Sequence, residues 1–425
     1  MNVEAWLNQL IRWNNRFITP IVCKTKFSGE AIVFLGGGTW QLTGIIAAKK
    51  LGLDIVLIDS LVTSTGVKFA DHVLIRNDFD IPSILQYLAQ LSLKIIGVVA
   101  IVSDIGQLPA AKLRNALGLP GIQPDIIQAF IEKSKQRESW DSAFLPNPKW
   151  RSFNNLNEAT DYLHHTNHFP LIIKPVDSAG SRGISVLQNR SDIDTALKKA
   201  FQTSHAKKVI IEEYIHGTEF AIETFSHKKN VFVLAISQKN KVPGTDNTVA
   251  SELYTPTYSD SVLKQMTTLV TNALTALNYS DGPAHTEILL TPKNECFLVE
   301  TGARGGGFMV ADGIVPLASG FDLATATVLS AIGIDFEFQP PNIVRPYLLR
   351  FIPSQPGTIK SYSGFDAFND HPNVLTSPIV EIGTHCSNPI CDAHRVCYLL
   401  SYGNTYEEAK LHADNGEKII KFQYE

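Results

Sequence analysis

The first hundred residues predict an α/β unit, and the remainder predicts an α+β body rich in antiparallel strands. Three observations carry this reading. Short apolar runs alternate with helical stretches between residues 31 and 101, the pattern of a parallel sheet. Later strand-like runs follow one another across turn-forming residues, the pattern of hairpins. The chain has 425 residues, 44% hydrophobic and 18% charged, enough for two or three domains with their own cores.

At the N-terminus Val3, Trp6, Leu7, Leu10, Ile11 and Trp13 recur at helical spacing. An amphipathic helix is expected there, packed on the body or on a second subunit. Residues 31–35 read as a strand, Gly36-Gly37-Gly38 as a tight turn, 41–51 as a helix and 54–58 as a second strand. Strands at 72–75 and 94–101 flank a helix at 81–91. The glycine turn approaches a dinucleotide fingerprint, but Gln41 stands where the third glycine of G-x-G-x-x-G belongs. A Rossmann-like half domain whose glycines serve the turn is the preferred reading.

Residues 110–117 read as a helix ended by Gly118 and Pro120, and 126–135 as another, with Lys133, Lys135 and Arg137 at its end. Pro146 and Pro148 make 138–155 look irregular, an inter-domain connection. Strands at 171–174 and 184–187 flank the loop Asp177-Ser178-Ala179-Gly180-Ser181-Arg182-Gly183. Its small residues, hydroxyls and backbone amides suit a phosphate-covering flap, and Lys174 ends the strand beside it. Residues 209–223 form an acidic hairpin around Glu212, Glu213, Tyr214, Ile215 and Glu219. A strand at 231–237 precedes Lys239 and Lys241, and helices are expected at 261–277 and 320–332.

The stretch HTEILLTPKNECFLVETGARGGGF, residues 285–308, is the chemical centre of the chain. A two-residue loop at Lys293-Asn294 places Glu287 directly opposite Glu300. Their Cβ atoms would lie ~4.5–5.5 Å apart, and like charges so placed destabilise a sheet. Two expectations follow: a cation sits between them, and removing one acid stabilises the hairpin. Mg²⁺, bound by one or two carboxylates plus substrate phosphates, is the natural cation. Arg304 is placed to clamp a phosphoryl group.

Net charge −4 gives no electrostatic case for nucleic acid. No apolar run is long enough to span a bilayer, and the N-terminus lacks the order of a signal peptide. Five cysteines, an odd number, point to reduced thiols and a cytoplasmic location. Cys386, Cys391, His394 and Cys397 do not match a common zinc spacing, so incidental thiols are preferred there. No serine, cysteine or histidine arrangement signals a covalent nucleophile.

Taken in order, the glycine turn, Lys174 with its flap, EEYIHGTE and the pair Glu287 and Glu300 followed by Arg304 resemble the ATP-grasp superfamily. The amino-acid-ligase-like and carbamoyl-phosphate-synthase-like members are the most similar. The resemblance implies an ATP-grasp fold with an N-terminal Rossmann-like pre-ATP-grasp domain (1–120), an ATP-grasp domain (121–338, flexible lid about 155–212) and a small C-terminal β-rich subdomain (339–425). It implies that Lys133 and Lys174 hold ATP phosphates under a flap including Ser178, Gly180, Ser181 and Gly183. Glu212, Glu213, Tyr214 and Ile215 would read adenine, Glu219 the ribose, and Lys239 would contact the nucleotide. Glu287 and Glu300 would hold Mg²⁺, with Mn²⁺ as substitute. Arg304, Lys174 and Glu300 would be catalytic. Gly302 departs from the frequent E-x-N pattern and leaves one metal contact open. The implied activity joins a small carboxylate to an amine through an acyl phosphate, releasing ADP and phosphate, in a homodimer that binds neither nucleic acid nor membrane. Alternatives are a bicarbonate-using enzyme of the same fold and a non-catalytic nucleotide-binding regulator. Arg345, Arg350 and Arg395 are candidates for gripping a substrate carboxylate.

Overall fold

Strands His72–Ile75, Asp54–Asp59, Glu30–Leu35 and Lys94–Val99 lie in that order in a parallel sheet. In this computed structural model residues 3–178, 180, 182–242, 249–337, 345–388 and 394–425 are described. The first strand is buried on both faces, as a parallel strand covered by helices must be. Ile32 and Phe34 pack with Leu42 and Ile45, whereas Ala31, Val33 and Leu35 pack with Ile84, Leu88 and Leu113.

Two helices differ from expectation. The helix expected at 110–117 begins six residues earlier, as Asp104–Leu117, with the Ser103 hydroxyl accepting from Gly106 N–H. Pro109 lies inside it, in an early turn that loses a single backbone bond. The helix expected at 126–135 is two, Pro124–Ile131 and Lys133–Ser142. The break at Glu132 lets Lys133 N–H donate to Val176 O at 2.9 Å. Lys133 therefore starts a helix rather than ending one.

Residues 138–155 are irregular only in part, at 143–149 and 154–155. They complete that second helix and supply the strand Trp150–Phe153. The helix had no apolar stripe to read because it buries polar groups, Gln136 and Arg137, beside Trp140. The strand edges a four-stranded sheet with Val209–Glu213, Leu171–Pro175 and Ser185–Leu187. Helices Leu156–His165 and Ile193–Thr203 cover it around Leu163, Ile173, Leu197 and Ile211.

An eight-stranded antiparallel sheet forms the body. Its order is Cys296–Gly302, Gly282–Leu290, Thr218–His227, Asn230–Lys241, Ala250–Tyr254, Tyr347–Pro353, Arg395–Tyr402 and Val374–Pro378. The boundary expected at 338/339 thus falls within one continuous sheet. A small sheet of His385–Cys386, Gly357–Ser363 and Lys421–Tyr424 and the helix Tyr406–Ile419 complete the C-terminal part.

The N-terminal helix, Val3–Asn14, packs on its own chain. Trp6 Nε1 donates to the Tyr398 hydroxyl at 2.9 Å, and Asn14 Nδ2 to Asp312 O at 2.8 Å. Trp6, Leu7, Leu10 and Trp13 of its apolar face are buried against the body. Among the described residues no helix is long and apolar enough to cross a membrane. Cys296, Cys386 and Cys397 are buried free thiols, and no group of three or more metal-ligating side chains occurs among the described residues. Cys391 lies outside the described residues.

Candidate active site

The hairpin Gly282–Leu290 and Cys296–Gly302 pairs Glu287 with Glu300. It does so by a different route from the one the sequence suggested. The turn is a three-residue loop, Pro292, Lys293 and Asn294, inside a bond from Thr291 N–H to Glu295 O at 2.9 Å. Asn294 closes it with φ +60°. That shifts the pairing by one residue as far as Ile288 and Leu298, and a bulge at Val299 restores it. Alternation along the first strand buries Thr286 and Ile288 and turns His285 and Glu287 to the cleft.

The two acids do not repel across an empty gap. Lys133 Nζ lies 2.8 Å from Glu300 Oε2 and also donates to Ser178 O at 2.7 Å. Lys239 Nζ donates to Glu287 Oε1 and, at 2.6 Å, to Glu219 Oε1. Lys241 holds the other Glu219 oxygen at 2.7 Å. Burial alone would raise the Glu287 pKa, but Lys239 and then His285 hold it well below the usual carboxylate range. Glu219 is lowered by Lys239 and Lys241 against its burial. The expected gain in hairpin stability on losing Glu287 or Glu300 rested on unrelieved repulsion, whereas each acid is paired with an ammonium, so that removing either takes one partner from Lys239 or Lys133.

His285 adds a further cation. Its Nδ1 bonds Glu223 Oε1, and its Nε2 lies 3.6 Å from Glu287 Oε1. Against the effect of burial, Glu223 and Glu287 raise His285 to about 9. The second Glu223 oxygen accepts Gly306 N–H at 2.9 Å, tying the glycine-rich loop to this strand. Gly306 is required there, since a Cβ would come within 2.8 Å of Glu223. Arg304 is clamped by Asp104 through Nε and Nη2 at 2.6 and 2.8 Å. A Cβ on Gly302 would lie 3.5 Å from Asp104 Oδ1, so Asp104 borders the space that a side chain at 302 would use.

Lys174 and Glu212 form a separate group. Lys174 Nζ reaches Glu212 Oε2 at 2.7 Å, and Arg137 Nε donates to Glu212 Oε1 at 2.8 Å. Arg137 Nη2 also donates to Val299 O at 2.6 Å, fastening this group to the hairpin that carries Glu287 and Glu300. Both Glu212 oxygens are engaged. Glu213 N–H donates to Lys149 O at 2.9 Å and Tyr214 N–H to Pro170 O at 3.1 Å. In the flap, Gly183 has φ +77°, and a Cβ there would meet Pro175 and Thr203 within 2.8 Å. Ser181 lies outside the described residues.

These groups line two cavities of about 460 Å³ each that share Ile172, Lys174, Glu219, Lys239, Lys241 and Val299. One arm holds Glu212, Glu213, Tyr214, Ile215 and Gly217. The other holds Ser178, Gly180, His285, Glu287, Glu300, Arg304 and an aromatic end with Trp40, Phe308 and Phe351. Of the three arginine candidates only Arg395 lines this cleft, stacked 3.7 Å from the Phe351 ring centroid. Arg350 is committed to Glu252, Asp414 and Glu417, and Arg345 to Leu317 O and the Phe17 ring. Residues missing from the sequence-derived site are Asp104, Arg137, Glu223 and Lys241. The Ser-Asp start of a helix was a readable signal for Asp104.

Two facing carboxylates, lysines for anions and a bidentate-held arginine fit Mg²⁺ shared with phosphate oxygens, the usual way this ion is bound. The fold is an ATP-grasp fold, and residues 167–312 match the ATP-grasp domain model. Residues 350–425 match L-amino acid ligase C-terminal domain 2, so the chain joins an ATP-grasp domain to an amino-acid-ligase C-terminal part. A crystal structure of L-amino acid ligase from Bacillus licheniformis superposes with a TM-score of 0.81 at 21% identity, over 96% of this chain and 100% of the other. The 2-oxoglutarate carboxylase biotin carboxylase domain of Hydrogenobacter thermophilus, solved with MgADP, ADP and bicarbonate, gives 0.74 at 17% identity over 92% and 90%. Phosphoribosylamine–glycine ligase of Leptospira interrogans is 26% identical over 207 residues, 45% of this chain and 48% of that protein. The chain thus spans about half the length of that curated relative.

Proposed function

We propose that this protein is an ATP-dependent carboxylate–amine ligase acting on an amino acid or similar small carboxylate. The observation that carries the reading is the facing pair Glu287 and Glu300, with Lys133, Lys174 and Arg304 around one cleft. Phosphoryl transfer needs positioning and charge neutralisation and no side-chain nucleophile.

The arm lined by Tyr214 and Ile215 would take the purine of ATP, with its phosphates toward the lysines shared by the two cavities. With both Glu212 oxygens engaged, that carboxylate orients Lys174 and does not itself meet the purine. Glu219 would meet the ribose once the nucleotide has drawn Lys239 or Lys241 from it. Mg²⁺ held by Glu287 and Glu300 would neutralise phosphate oxygens when bound. A substrate carboxylate oxygen attacks the γ-phosphorus, the bond to the ADP oxygen breaks, and an acyl phosphate forms. Arg304, aimed by Asp104, stabilises the transferring group. The flap around Ser178 excludes water. An amine then attacks the acyl carbon, phosphate leaves, and the amine proton passes to solvent or phosphate.

The C-terminal likeness to L-amino acid ligase favours an amino acid as one substrate. A second reading uses bicarbonate as the activated carboxylate, supported by the bicarbonate in the Hydrogenobacter thermophilus structure. A homodimer and a cytoplasmic location belong to the same proposal. The test is a coupled ADP-release screen over pairs of amino acids and amines. Release that requires both substrates supports the ligase. ATP cleavage stimulated by bicarbonate alone supports the second reading, and cleavage to AMP and pyrophosphate overturns both.

A further inference from the structure

We propose that Lys239 and Lys133 occupy the metal site of the nucleotide-free protein, so that the divalent ion binds only when a nucleotide has drawn both lysines away. This rests on the function proposed above and adds an order to it.

Each acid of the facing pair already carries its own ammonium: Glu300 has Lys133 at 2.8 Å, and Glu287 has Lys239. The Lys133 and Lys239 side chains are both 8% exposed, and the two acids are only partly exposed. Two carboxylates and two ammoniums sum to zero. A divalent ion brought to this pair meets fixed positive charge at short range, where screening by solvent is weak. A nucleotide polyphosphate reverses the balance by supplying several negative oxygens within the same cleft. Lysine suits the exchange, since its compact charge rides on a flexible four-carbon stem.

The surrounding contacts say which lysine guards which acid. Glu219 is held by both Lys239 and Lys241, so it stays neutralised when Lys239 departs. Glu287 receives Lys239 but not Lys241. Lys133 also binds Ser178 O, so its departure frees the flap from Glu300 in the same movement. Nucleotide and metal are then positively coupled, and by linkage each tightens the other by the same factor.

The experiment measures Mn²⁺ binding by electron paramagnetic resonance and calorimetry, with and without ADP. Wild type is compared with Lys239→Gln, Lys239→Arg, Lys133→Gln and Lys241→Gln, each checked for folding by circular dichroism. Wild type without nucleotide should bind Mn²⁺ weakly, and ADP should tighten it at least ~10-fold. Lys239→Gln and Lys133→Gln should each tighten nucleotide-free binding ~10-fold and shrink the effect of ADP. Lys239→Arg, which keeps the charge, should bind Mn²⁺ as weakly as wild type without nucleotide but gain less from ADP, because a guanidinium exchanges partners less readily. Lys241→Gln should shift affinity less than ~3-fold, which separates site occupancy from a general change of charge. Equal Mn²⁺ affinity in wild type and both glutamine variants overturns the proposal, and if ADP still tightens metal binding the ligase reading stands. Failure of every form to bind Mn²⁺ with ADP overturns both.

Discussion

Glu212 and Glu287 both sit between two cations, yet the two regions behave differently. The Glu212 side chain is wholly buried, and one of its cations is Arg137, which is also fixed to Val299 O. Glu287 and Glu300 are 19% and 30% exposed and lean on lysines. A planar guanidinium with several donors locks its partner in place, whereas an ammonium on a flexible stem can exchange partners. The first arrangement is a rivet that joins the lid sheet to the central hairpin. The second is a site prepared for replacement of one cation by another. Asp312 adds a third kind of acid, buried with a hydrogen bond from the Thr43 hydroxyl at 2.5 Å. Burial pushes it up to about 7, only partly offset by that hydroxyl.

The largest expected effect belongs to the exchangeable acids. Glu287→Gln and Glu300→Gln should each lower ADP release by at least ~1000-fold, about 4 kcal/mol in the barrier, while circular dichroism stays native. A rate within tenfold of wild type would break the distinction drawn here. Next is the rivet. Arg137→Met leaves Glu212 with Lys174 alone and should cost about 3–5 kcal/mol of stability by urea unfolding. Arg137→Lys should restore it only in part, because an ammonium lacks the planar fork that reaches Glu212 and Val299 O from separate nitrogens.

Asp312 makes a prediction of opposite sign. Its folded pKa is raised above the unfolded 3.8, so the folded state binds more protons between about 4 and 7. Stability is then highest below pH 4 in this term and falls as pH rises through 7. Asp312→Asn should remove that slope, raising stability at pH 8 by about 4 kcal/mol with little change at pH 4. A flat difference across that range would show that the carboxyl ionises freely in the fold. A neutral contact sets the low end of the scale. Trp6→Phe loses the bond to Tyr398 and should cost about 1 kcal/mol, seen as a few degrees in Tm.

Much of the fold was readable because its strands follow simple periods. The parallel strands are continuous apolar runs, and Gly282–Leu290 alternates strictly. The facing of Glu287 and Glu300 was readable too, though through two errors that cancel: the loop is one residue longer than assumed, and the bulge at Val299 takes up the difference. Sequence spacing cannot reveal a bulge whose cause is the turn five residues away. Arg137 and Asp104 were missed for another reason. Their partners lie 75 and 200 residues distant, and a helix that buries polar groups carries no apolar stripe to mark it. Charge pairing of that kind is a property of the folded cleft, so Lys133 and Lys239 were named in the sequence but not their pairing with Glu300 and Glu287, and the repulsion of the acids was overestimated.

The account turns on one chemical event, transfer of phosphoryl to a substrate carboxylate. The direct measurement is the fate of ¹⁸O placed in that carboxylate, followed by mass spectrometry during a turnover that consumes ATP. The account predicts one ¹⁸O in the inorganic phosphate released with ADP. Label appearing in AMP, or in no phosphorus product while amide accumulates, would contradict it.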